Sequence, residues 1–177
     1  MPRPYQPSLL RLLHGAAGLL TLIAWISGLV VYARFDHRWG ALPFKLAGDP
    51  IEFHGTVGVI LWPVAVLFGL YAITAGRRLL VRPANAIPLL SLALAVGSGL
   101  LMDEDWLLEG ELDQFIYSVH LISWVLMALS VLWHLGSVLQ RGGWPLARSM
   151  ASVSLQANDL PRHWANQLIR SLRSGKR

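Results

Sequence analysis

Four histidines lie inside apolar stretches of this chain: His14, His54, His120 and His134. Imidazole titrates near neutrality and binds metals through a ring nitrogen. Polar side chains at membrane depth are rare, face a bundle interior and mark function. The stretch from Phe115 to Leu139, FIYSVHLISWVLMALSVLWHLGSVL, holds two of them and no Asp, Glu, Lys or Arg over 25 residues. It is long enough to cross a bilayer, which takes about 20 apolar residues. His120 and His134 are 14 residues apart, or about 21 Å along a helix. A helix drifts only about 20° per heptad, so the two imidazoles share a face. They form one wall of a site with two levels.

The elements that position these side chains follow from composition. Of 177 residues, 54% are hydrophobic and 14% charged, and the mean hydropathy is +0.49. Soluble domains carry about 25% charged residues, so this is a membrane protein. The absence of cysteine excludes disulfides, thiolate ligation, Cys-held iron–sulfur clusters and C-x-x-C-H haem attachment. Four apolar runs are expected to span the membrane, at residues 9–32, 51–75, 84–102 and 115–139. The first is longer than the apolar core of a signal peptide and is expected to be retained. Pro63 should kink the second run. Pro88 falls in the opening turn of the third, where a missing N–H matters least. That third run carries Ser91, Ala93, Ala95, Gly97, Ser98 and Gly99 and reads as a packing helix. The fold class is an all-α four-helix membrane bundle over residues 1–140. Residues 141–177 form a basic tail, in which Leu160, Trp164, Leu168 and Leu172 recur every four residues. An interfacial amphipathic helix is expected there, with Asp159 as its N-cap.

Four spans place both termini on one side. That side holds 12 Lys and Arg, and the other holds three. Basic loops stay cytoplasmic, so both termini are expected to face the cytoplasm of a bacterial-type inner membrane or its thylakoid equivalent. Nine of the ten acidic residues lie outside, six of them between Asp103 and Asp113. The net charge of +5 is therefore a topology signal and an anionic-lipid contact, with no nucleic acid implied. The outer surface, with three basic and nine acidic residues, suits a basic donor protein.

Depth sorts the four histidines. His14 and His134 each lie five residues from the inner end of a span; His54 and His120 lie three and five residues from an outer end. His14–His134 is an inner pair and His54–His120 an outer one. Each pair, facing across a bundle, suits the two axial positions of a haem iron, giving two b haems with no open axial site. Zinc needs more ligands at one depth. His14 opens HGAAG and His54 opens HGTVG. Gly15, Gly18, Gly55 and Gly58 thin the helix beside each histidine, which admits a flat macrocycle or a close helix. Arg11 lies three residues before His14, on the same face, as a propionate partner or an interfacial anchor. Arg34, Arg38 and Lys45 are the outer cations from which no choice can be made. His37 and His163 are assigned no role.

Arg11-x-x-His14-Gly15, a histidine opening the second span and two histidines 14 apart in the fourth resemble the prokaryotic cytochrome b561 family. They also resemble the dihaem cytochrome b subunits of membrane formate dehydrogenases and nickel–iron hydrogenases. The resemblance covers roughly residues 8–140. It implies His14 and His134 as ligands of one haem, His54 and His120 as ligands of the other, and electron exchange with a membrane quinone. The chain departs from the hydrogenase type in lacking a fifth span, and from stand-alone members in its acidic outer face. A dihaem electron carrier is the expectation, either free-standing, with a homo-oligomer allowed, or as an anchoring subunit of a larger oxidoreductase. The rivals from other classes are a histidine-lined transporter and a haem-free assembly factor.

Overall fold

The computed structural model describes residues 5–36, 38–40, 48–103 and 111–174. Most of the acidic stretch between Asp103 and Asp113, together with Lys45 and His37, lies outside the described residues. Among the described residues there is no strand. The described residues form six helices in order: α1 (Ser8–Phe35), α2 (Pro50–Ile73), α3 (Arg77–Leu80), α4 (Pro83–Asp103), α5 (Glu111–Met150) and α6 (Trp164–Ser174), with a 3-10 turn at Pro161–His163 before α6. Four of them, α1, α2, α4 and α5, are long and apolar enough to cross a membrane.

Local chemistry sets the boundaries. Asp49 caps α2: its Oδ1 accepts from Ile51 N at 3.0 Å and Glu52 N at 3.2 Å, and Pro50 fills the first helical position. Helix α2 continues through Pro63. Helix α5 breaks at Gly143, whose φ of 61° and ψ of −163° leave helical space. Gly142 must also lack a side chain, because a Cβ there would sit 2.6 Å from Leu146 Cβ. The spanning arm therefore ends near Gly142, and a short arm that the sequence reading missed runs from Trp144 to Met150.

Helix α1 packs mainly on α2, and α4 on α5; α2 and α4 join the two hairpins. The small buried core is Leu61, Leu92 and Met127, with Trp25, Phe68 and Val96 against it. Most remaining large apolar side chains point outward, as expected where the solvent is lipid.

Two expectations change. Pro88 is not in the opening turn of its helix: α4 begins at Pro83, and Pro88 lies five residues further in. Asp159 does not cap the tail helix. Its Oδ2 accepts from Ser8 N at 2.6 Å, and its Oδ1 from Ser8 Oγ at 3.0 Å and Gln167 Nε2 at 3.0 Å. The carboxylate caps α1, whose first N–H groups have no helical partner and attract negative charge. Trp164 Nε1 donates to Ser8 Oγ at 2.8 Å. The tail thus folds back over the inner end of α1.

Candidate functional site

Helix α5 carries both His120 and His134, as the 14-residue spacing requires. Helix α1 brings His14 to His134, and α2 brings His54 to His120. The inner ring centroids are 6.2 Å apart with planes tilted 41°. The outer centroids are 6.0 Å apart with planes at 77°. Two metal–nitrogen bonds of about 2 Å, plus about 1.1 Å from each nitrogen to its ring centre, total about 6.2 Å. Both pairs are spaced for one metal ion shared between two imidazoles.

Hydrogen bonds fix which nitrogen is free. His134 Nδ1 lies 2.9 Å from Ala84 O, and His120 Nδ1 lies 3.1 Å from Ala95 O. A carbonyl only accepts, so each Nδ1 carries the proton and each Nε2 keeps its lone pair. His120 Nδ1 also lies 3.0 Å from Ser98 Oγ. His54 Nδ1 lies 2.8 Å from Ser27 Oγ. The Ser27 hydroxyl also reaches Ala24 O at 3.0 Å; with its proton there, Oγ accepts from His54 Nδ1–H. His14 instead meets Phe68 edge-on at 5.9 Å.

The glycines divide into two sets. At Gly15, Gly18, Gly55 and Gly58 an added Cβ would meet nothing within 4 Å, so the helix surface beside His14 and His54 is open. A cavity of about 260 Å³, lined by His54, Gly55, Gly58, His120, Trp25 and Trp124 among others, lies at the outer pair. Gly28 and Gly99 are the close-approach glycines: a Cβ would sit 3.2 Å from His54 Cε1 and 3.3 Å from His120 Cε1 respectively. The donor set suits a haem. Two imidazoles oppose each other with Nε2 free at three of the four, and open glycine faces flank the helical ligands. Among the described residues no three His, Asp or Glu side chains gather as a tetrahedral metal site would need.

Arg11 is buried, and its guanidinium faces the tail, donating to the Ser152 carbonyl and to Ser154 O at 2.6 Å. It also lies 5.2 Å over the Tyr5 ring. Among the described residues its Nε has no hydrogen-bond partner. At the outer end Arg38 stands 4.8 Å over the Tyr117 ring, one turn beyond His120, and Tyr117 OH donates to Asp36. Arg34 donates to Gly48 O at 2.6 Å. His163 sits in the 3-10 turn beside Arg162, away from both pairs.

Sequence reasoning gave no role at the histidine pairs to Ser27, Gly28, Ser98, Gly99, Trp25 and Trp124. The repeated Ser-Gly at 27–28 and 98–99 was the available signal for the first four. Helix α4 does more than pack: through Ala84, Ala95 and Ser98 it holds both histidines of α5. The chain matches no family model, no curated protein and no solved structure.

Proposed function

We propose that this chain is a dihaem b-type cytochrome that carries electrons across the bilayer and exchanges them with a membrane quinone. The observation that supports this reading is the pair of opposed imidazoles at each of two depths, spaced at 6.2 and 6.0 Å. His14 and His134 hold the inner group, and His54 and His120 the outer one. Haem iron bound this way supplies one-electron redox cycling without an open axial position. The protein's share is geometric and dielectric. Helices α1 and α2 supply one ligand per level, α5 supplies the other at both, and α4 orients the α5 pair. An apolar cluster of Leu61, Leu92 and Met127 supplies low-dielectric packing in the bundle. The quinone rests on the family resemblance, and the acidic outer face suits a basic donor protein.

The absorption spectrum and haem content of the purified chain test the reading. Two low-spin, bis-histidine b haems per chain are expected on reduction. A colourless protein after reconstitution with haem would overturn it and leave a transporter or an assembly factor.

A further inference from the structure

Three of the four histidines have their Nδ1 held by a neighbouring helix, and each acceptor is freed or committed by a specific residue. Ser27 Oγ lies 3.0 Å from Ala24 O and 2.8 Å from His54 Nδ1; giving its proton to the carbonyl leaves it an acceptor for Nδ1–H. Ser98 Oγ spends its proton on Leu94 O at 2.7 Å and faces His120 Nδ1 at 3.0 Å. Pro88 acts differently. A helical N–H at residue 88 would bond the carbonyl four residues earlier, which is Ala84. Proline has no N–H, so Ala84 O keeps its capacity for His134 Nδ1 at 2.9 Å. A serine hydroxyl in a helix and a proline inside one both cost helix stability. Here each sits where a histidine needs an acceptor.

We propose that Ser27, Ser98 and Pro88 are positioning residues that fix the proton of His54, His120 and His134 on Nδ1, and so present Nε2 as the ligating atom. This deepens the dihaem reading and rests on it for the redox readout below. Hydrogen bonding to Nδ1–H also makes the imidazole a stronger donor, which favours the oxidised metal. Outer-shell partners of metal-bound histidine typically shift affinity or activity 10–100-fold. A backbone carbonyl stands beside each serine, Ala24 O for His54 and Ala95 O for His120, so each serine is one of two acceptors at its histidine.

The test is a reductive titration of the full-length purified protein, followed optically and by electron paramagnetic resonance, in S27A, S98A and P88A. The outer centre is identified as the one lost in H54A. S27A is expected to shift the outer centre's reduction equilibrium about tenfold toward the ferrous form, which is about 59 mV for one electron, and to leave the inner centre in place. S98A should shift the outer centre in the same direction, and S27T should restore the native value. P88A, which returns an N–H that competes for Ala84 O, should move the inner centre alone without lowering thermal stability. Two low-spin haems whose potentials stay native in S27A and P88A, or move together in both, would overturn the assignment while sparing the dihaem reading. Nitrogen-15 spectra of the histidine-labelled chain give a readout that needs no haem. His54 should carry its proton on Nδ1 in the native chain, and its Nδ1 resonance should shift in S27A as one of its acceptors is lost; an unchanged resonance would also overturn it.

Discussion

The indole rings of Trp25 and Trp124 stack at 4.6 Å with planes 7° apart, and each Nε1 donates to the other residue's carbonyl oxygen, at 3.1 and 3.0 Å. Trp124 lies four residues inward of His120 and ten outward of His134, so the stack occupies the gap between the two histidine levels. Its rings form part of the wall of the outer cavity. Aromatic pairs add about 0.5–1.5 kcal/mol beyond burial, and each hydrogen bond adds about 1 kcal/mol. W124L should cost about 2–4 kcal/mol and W124F about 1 kcal/mol, read by thermal unfolding in detergent. Equal losses would mean the stack contributes nothing. Under the dihaem reading, W124L should also slow electron passage between the centres, while W124F keeps it near native.

The two levels are separable because each has its own ligand from a different helix. His134→Ala removes one wall of the inner pair and leaves His54 and His120, about 21 Å away along α5, in place. The inner haem should be lost or become high-spin, and haem content should fall from two toward one per chain. His54→Ala should do the reverse. Spectra of the two variants check this, and a low-spin pair surviving in His134→Ala would break the assignment of partners.

The spans and the pairing by depth were legible in the sequence because both follow from fixed quantities, bilayer thickness and helical rise. What lies between helices was not. Ser27 and Ser98 read as ordinary small residues of apolar helices, since the sequence does not say which ring faces them. Ala84 acts through a carbonyl, and no side-chain pattern announces that Pro88 has freed it. Asp159 fits the rule for a cap on its own helix. The structure gives it to a helix start 151 residues earlier, a contact that local rules cannot see. The run Gly142-Gly143-Trp144-Pro145 signalled an end to the fourth span but not the short arm that follows.

Topology gives a third prediction. From the 12-to-3 asymmetry of basic residues, α3 is expected on the cytoplasmic side and the start of α5 on the other. The chain has no native cysteine, so single cysteines at Leu79 and Leu112, both exposed, report sidedness directly. An impermeant thiol reagent added to intact spheroplasts should label L112C and spare L79C. Labelling of both, or the opposite pattern, would reverse or abolish the four-span arrangement.

The docked tail should detach in acid. Burial pushes the Asp159 carboxyl up, but hydrogen bonds from Tyr5, Gln167 and Ser8 outweigh it and hold the group below the usual carboxylate range. A depressed pKa means the folded state binds the proton less well than the unfolded one. Its stabilisation is present above the unfolded value, about 3.9, and is lost as pH falls through the folded pKa. Burial and the bond to Asp159 push the Tyr5 phenol up, so Tyr5 remains a donor through neutrality and its contribution fades only at high pH. Loss of an N-cap costs about 1 kcal/mol. D159A should therefore free the segment around α6 at neutral pH, and the native chain should free it only in strong acid. Limited trypsin digestion at Arg162 reads the difference at neutral pH: fast cleavage in D159A, slow in the native chain. Tryptophan fluorescence of Trp164, with the other tryptophans as the common background, follows the acid transition, which should be absent from D159A. Equal cleavage rates in the two proteins would show that the Ser8–Asp159 contact does not hold the tail.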